Sequence, residues 1–141
     1  MNKTAEFFLK YLYVFIYYIL LDGTMIALYS KNAFGKMIKK IQGGKNMQTR
    51  MLPTILCFLL LAFGINYFVL PKIRKEHIVK DCLQYGAVFG LVVYGVYDLT
   101  NLGTFINFNW GTAIIDIIWG GVLGFVVSIL ATLSWKATEK K

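Results

Sequence analysis

Four long apolar stretches, separated by short polar segments, dominate the sequence. They run over residues 11–30, 51–71, 82–104 and 111–135, and each has at least 20 residues. At about 1.5 Å per residue, a helix of that length crosses the ~30 Å hydrocarbon layer of a bilayer. The pattern therefore predicts an all-α fold, an integral membrane bundle of four transmembrane helices that forms one domain over residues 1–141.

Composition supports this class and changes the interpretation of the charge. The chain is 57% hydrophobic and 16% charged, whereas a soluble domain is about 45–50% apolar and about 25% charged. The net charge of +8 would suggest nucleic acid in a soluble protein. Here the cations lie in the connectors between apolar stretches, which favours contact with lipid head groups over nucleic acid.

The first connector, residues 31–50, has an amphipathic pattern. Four apolar residues fall at i, i+3, i+4 and i+7, on one helical face: Phe34, Met37, Ile38 and Ile41. Three lysines lie off that face: Lys36, Lys39 and Lys40. We expect the segment to lie along the bilayer surface, with these lysines among anionic head groups. An ordinary basic loop is the alternative for so short a segment.

Orientation follows from the distribution of cations. Four spans place the termini and the second connector on one side, with nine cations: Lys3, Lys10, Lys72, Arg74, Lys75, Lys80, Lys136, Lys140 and Lys141. The other side has the six of the first connector. The excess predicts that both termini are cytoplasmic, although the basic first connector would itself suit an anionic cytoplasmic leaflet.

Three aspartates lie inside the apolar stretches, each in a different one. Asp22 is in the first, Asp98 in the third and Asp116 in the fourth. Counted from the side of the turn between the third and fourth spans, all three lie within about one helical turn of the same depth. A carboxylate in hydrocarbon costs about 2.5–3.5 kcal/mol on insertion scales. Each therefore needs a partner, a proton or a bound cation.

Polar residues accompany the aspartates at helical spacing. The candidate ligand or ion site consists of Asp22, Tyr94, Tyr97, Asp98, Thr100, Asn101, Asp116 and Trp119. Three interpretations stay open: a site for a cation, a proton or a lipid head group; a membrane-embedded enzyme or enzyme subunit acting on lipid; or a structural component in which the aspartates only clasp helices. The sequence has no HExxH, GxSxG or glycine-rich phosphate loop, which argues against an enzyme, and it indicates neither a metal site nor a cofactor.

Two pairs of glycines bear on helix packing. Gly86 and Gly90 are four residues apart in the third span, as are Gly120 and Gly124 in the fourth. Small residues at this spacing let helix backbones approach closely, although glycine is generally frequent in membrane helices. Association between copies of the chain, giving a homo-oligomer, also stays open.

Two motifs carry a resemblance to a known family. The third span contains Tyr94-x-x-Tyr-Asp-Leu-Thr-Asn101, and the fourth contains Asp116-x-x-Trp-Gly120. These strings resemble a family of small predicted four-span membrane proteins, catalogued as a domain of unknown function. The stretches 20–22, 34–35 and 67–71 are similar to its other signatures, and the lysine-rich first connector departs from it. The resemblance implies a four-span topology and no particular activity.

Overall fold

Four long helices, joined by short connectors, make up the part of the protein that the structure describes. The computed structural model describes residues 2–139, in which helices α1 (Lys3–Ile41), α2 (Met51–Lys72), α3 (Ile78–Thr104) and α4 (Trp110–Glu139) are each long and apolar enough to cross a membrane. Residues 2–139 contain no strand. The predicted all-α class and the four membrane helices are confirmed. Lys140 and Lys141, which entered the count of cations, lie outside the described residues.

Local chemistry explains where the helices begin and end. The Asn2 side chain accepts a hydrogen bond of 2.8 Å from the Ala5 amide at the start of α1. Asn109 does the same for the Thr112 amide, at 3.0 Å, at the start of α4. Each satisfies an amide that has no partner within its helix. After Ile41, Gly43 and Gly44 adopt φ values of 61° and 92°, a left-handed conformation that glycine accepts without steric cost.

Helix α1 is much longer than its apolar stretch. It continues past Ser30 to Ile41 through a wide π-helical turn at Ile26–Ser30, for 39 residues in all. This corresponds to about 58 Å of helix, almost twice the ~30 Å hydrocarbon thickness. The last turns of α1 therefore extend beyond the membrane-spanning part, and they contain the amphipathic segment.

The apolar face of that segment has a partner within the chain. Met37 and Phe34 pack with Phe108, in the turn between α3 and α4, and with Ala113 in the first turn of α4. The Phe34 and Phe108 rings meet edge to face, with centroids 6.3 Å apart, and the Asn109 amide donates to the Met37 sulfur at 3.1 Å. A small second core thus joins the end of α1 to the α3–α4 turn.

The main core lies between α1, α2 and α4. Its buried members are Val14, Tyr18, Leu61, Ala62, Ile65, Val69, Leu123, Val127 and Ala131. Helix α3 packs against this core with Tyr85, Phe89, Val93 and Tyr94, and it lies very close to α4. A methyl group on Gly90 would collide with the Gly120 carbonyl oxygen, and one on Gly124 would collide with the Gly86 carbonyl oxygen. The glycine pairs therefore set the distance between α3 and α4.

An ion pair closes the connector between α2 and α3. The Arg74 guanidinium donates two hydrogen bonds to Asp81, at 2.9 and 2.7 Å, and the Arg74 amide adds a third at 2.9 Å. This carboxylate raises the pKa of Arg74, through the hydrogen bonds first and the charge second. The Asp81 side chain is fully buried, whereas that of Arg74 is 57% exposed. The following residue, Lys75, pairs with Glu139 at 3.2 Å and ties the connector to the end of α4.

Candidate functional site

The first part of the predicted site joins α1 to α4. Trp119 donates a hydrogen bond of 2.8 Å from its indole nitrogen to an Asp22 oxygen. Asp22 is 9% exposed, so the bond forms where little water competes for it. The Tyr94 side chain, from α3, packs on Gly120. It is also close enough to Asp22 for the two side chains to interact electrostatically. The structure thus brings predicted residues from three helices together.

Asp98 forms the second part, and its side chain has no hydrogen-bond donor. The residue is 0% exposed, and neither carboxyl oxygen has a hydrogen-bond partner among residues 2–139. Burying an ionised carboxyl without partners is very costly, and such a group takes up a proton instead. The sequence identifies Asp98 as an isolated acid, but only the structure shows that no donor reaches it.

The neighbour of Asp98 is a second carboxyl. Asp116, on α4, lies close to Asp98 across the α3–α4 interface, and the two carboxyl groups influence each other electrostatically. Two adjacent carboxyls share protons, because both cannot be ionised together in a site of low polarity. A proton carried by either group supplies the donor that Asp98 lacks. The arrangement is therefore chemically that of an acid pair.

The remaining predicted residues lie around this pair with different exposure. Tyr97 is 53% exposed and lies near Asp98 and Asn101. Asn101 is half-buried. Thr100 is exposed, and it contributes a backbone oxygen that accepts from the Thr104 hydroxyl at 2.7 Å. Thr100 therefore belongs to the outer face of α3, Tyr97 borders the acid pair, and Asn101 lies beside Tyr97.

Two further residues lie near Asp22. Tyr18 is fully buried, and its hydroxyl has no hydrogen-bond partner within residues 2–139. It is close enough to Asp22 to interact with it electrostatically. Tyr18 lies one helical turn before Asp22 in α1. Cys57, an exposed residue of α2, is also close enough to Asp22 to interact with it electrostatically. A single cysteine in an apolar stretch gives no sequence signal for such a position.

The three aspartates form two subsites. Across residues 2–139, no group of three or more His, Cys, Asp or Glu side chains could hold a metal ion. Asp22 is hydrogen-bonded to Trp119, and Asp98 and Asp116 lie close to each other. The first subsite can join helices, and the second can hold a proton.

The family follows from a comparison of the whole chain. Residues 7–133 match the family described as "Predicted membrane protein (DUF2177)". The chain belongs to this family. The match covers 127 of the 141 residues (133 − 7 + 1), so it includes all three aspartates. No curated protein and no solved structure matches the chain. The resemblance carried by the tyrosine–aspartate and aspartate–tryptophan motifs is thereby confirmed, and the protein is a multi-pass membrane protein.

Proposed function

We propose that this membrane protein binds a proton between Asp98 and Asp116, at the interface of α3 and α4. One observation carries the proposal: a fully buried carboxyl without a hydrogen-bond donor lies close to another carboxyl. A shared proton removes one negative charge and provides the missing O–H donor. In this role Asp98 and Asp116 carry the proton, and Tyr97 lies beside Asp98.

A proton accounts for the pair better than a metal ion or a head group. A metal ion requires several oxygen ligands, and residues 2–139 provide no cluster of three acidic or other metal-ligating side chains. An anionic head group would add negative charge beside two carboxyls, which raises the electrostatic cost. A proton removes one of the two negative charges without needing additional volume.

The test is infrared spectroscopy of the protein in detergent at neutral pH, which detects the carbonyl stretch of a protonated carboxylic acid. We expect this band in the wild type. Asp98→Asn should abolish it, because the amide donates to Asp116 and lets that carboxyl ionise. Asp81→Asn is the matched control, since Asp81 pairs with Arg74, and it should leave the band unchanged. A wild type without the band would refute the proton site.

Asp22 has a different role in this proposal. Its hydrogen bond to Trp119 links α1 to α4, so we assign it to the clasp that positions these helices around the acid pair. Asp22 thus has a structural role, whereas Asp98 and Asp116 bind the proton. This division predicts that variants of Asp22 change stability, whereas conservative variants of Asp98 change the response to pH.

We further propose that both termini are cytoplasmic and that Lys36, Lys39 and Lys40 contact anionic head groups. The excess of cations on the side of the termini supports their cytoplasmic location. The exposure of the three lysines, away from the packed Met37, supports the contact with head groups. The test measures how strongly the protein, in nanodiscs of defined lipid composition, binds anionic lipid that is added to them. Replacing the three lysines by Gln should weaken the interaction by about 1 kcal/mol per charge. Equal binding by wild type and variant would contradict the contact.

A further inference from the structure

A separate polar cavity lies at the other end of the bundle. Its volume is about 240 Å³, and it is formed where the start of α1, the α2–α3 connector and the last turns of α4 meet. This end is remote in sequence from the acid pair and belongs to the side that carries both termini. The cavity is not needed for the proposed proton site, and its properties can be tested independently.

Three lysines from three different segments line this cavity: Lys10, Lys75 and Lys136. Lys10 lies over the Trp135 ring, with its ammonium 4.6 Å from the centroid. A cation above an indole face is held by the ring quadrupole. The bundle therefore directs cations from distant parts of the chain to one small volume.

Two carboxylates of the cavity already pair with two of these lysines. Glu6 pairs with Lys10, and Glu139 pairs with Lys75. Lys136 has no carboxylate within salt-bridge distance in the part of the chain that the structure describes. The lining therefore has one cation in excess. Exposed ion pairs stabilise proteins little, so an incoming anion can recruit these lysines at low cost.

The floor of the cavity is apolar and contains an interfacial aromatic ring. Leu70, Ile73, Ala131 and Trp135 supply it. Tryptophan at the end of a membrane helix is typical of the head-group level, and lysines there extend toward the interface. At about 240 Å³ the cavity is below the ~300–1,000 Å³ of pockets that enclose drug-sized ligands. It can take a phosphate group and its first carbons, but not two acyl chains.

We infer that this cavity binds a phosphate ester, and specifically the head group of an anionic phospholipid whose acyl chains remain in the bilayer. Lysine ammonium groups bind phosphate as point charges, and their spacing around one cavity lets several act on a single anion. A soluble phosphate ester shares the same chemistry, so the test separates the two sources.

The experiment is native mass spectrometry of the full-length protein released from detergent, titrated with three probes. These are an anionic phosphatidylglycerol, a phosphatidylcholine with the same acyl chains, and glycerol phosphate. We expect phosphatidylglycerol to bind most tightly. Lys136→Gln should weaken its binding about fivefold, as expected for one lysine near anionic lipid. Glu139→Gln should tighten binding, because it removes a competing carboxylate from Lys75.

A gain of affinity in Glu139→Gln cannot result from misfolding, so this variant guards against an unstable Lys136→Gln protein. Lys45→Gln, in the connector at the opposite end of the bundle, is the matched control for a general loss of charge and should bind as the wild type does. Equal binding of glycerol phosphate and phosphatidylglycerol would contradict the proposal that the ligand is a lipid. Equal affinities in Lys136→Gln, Glu139→Gln and wild type would overturn the site itself.

Discussion

The indole of Trp119 donates a 2.8 Å hydrogen bond to Asp22 across 97 residues of sequence. This bond gives the carboxyl of α1 a donor on α4, in a part of the protein where no lysine or arginine lies within the apolar stretches. It also fixes the rotation of α1 about its own axis, because Val14 and Tyr18 on the same face enter the main core. The hydrogen bond of Asp22 and the core packing of Val14 and Tyr18 therefore require the same orientation of α1.

Trp119→Phe should destabilise the protein. The aromatic ring remains but the donor is lost, and leaving a buried acceptor unsatisfied costs about 1–3 kcal/mol. Asp22→Asn should be milder, because its amide oxygen still accepts from the indole. Thermal unfolding in detergent measures both. Trp110→Phe, at an exposed position, is the control and should melt like the wild type; a similar loss there would remove the assigned role of the bond.

The acid pair should make stability depend on pH. Raising the pH removes the shared proton and leaves two carboxylates close to each other, so the melting temperature of the wild type should fall as the pH rises. In Asp98→Asn a single carboxyl remains beside an amide donor, and the curve should be flatter. The measurement is melting temperature from about pH 4 to 9, a range that begins near the ~3.9 of a free aspartate. Parallel curves for the two proteins would contradict the shared proton.

Gly90→Ala should disrupt the packing of α3 on α4. The added methyl group would collide with the Gly120 backbone, which cannot move as a side chain can, and overpacking costs about 1–3 kcal/mol. Gly95→Ala, on the same helix, is the matched control, because its methyl group would meet no neighbouring atom within 4 Å. It should be neutral or gain about 0.5–1 kcal/mol of helix propensity. Thermal melts that rank the two variants in the opposite order would refute this packing.

Loss of the arginine at position 74 should lower the melting temperature more than loss of an exposed lysine. Arg74→Gln removes the charge that pairs with the buried carboxyl of Asp81, and Arg74→Lys keeps the charge but loses the two-pronged geometry. The expected order of melting temperatures is wild type, then Lys, then Gln. Lys80→Gln, an exposed position in the same region, should have little effect. An unchanged Arg74→Gln protein would show that the pair adds nothing to stability.

Topology can be tested with reporter fusions. Fusions at Lys40 and at residues 107–109 should report the same side of the membrane, because Met37 contacts Asn109. A fusion after Lys141 should report the opposite side. If fusions at Lys40 and after Lys141 reported the same side, the four-span topology would be wrong. The cytoplasmic location of the termini is tested by the same reporters, since they distinguish the two sides by activity.

The sequence by itself determined the class of the protein. Apolar stretches of 20 residues or more, with at most one charged residue each, have few stable alternatives to a membrane helix, because every backbone polar group must be satisfied within the bilayer. The same isolation makes Asp22, Asp98 and Asp116 conspicuous, since charge is rare in such stretches. The motifs at Tyr94–Asn101 and Asp116–Gly120 carried the resemblance to the family, which the match over residues 7–133 confirmed.

The tertiary structure decided how these residues are paired. Counting residues along helices gives the depth of each aspartate, but not the rotation of its helix, and a rotation decides which side chains meet. Asp22 therefore could not be matched to Trp119, nor Asp98 to Asp116, from spacing alone.

The same reason applies to the amphipathic segment and to the cavity. The sequence predicts the apolar face of Phe34 and Met37, but its partner Phe108 is brought there by the length of α1 and the position of the α3–α4 turn. Lys10, Lys75 and Lys136 likewise share a cavity only because the start of α1, the α2–α3 connector and the last turns of α4 meet. Periodicity is a local property of the chain, whereas the contacts between helices depend on the packing of all four.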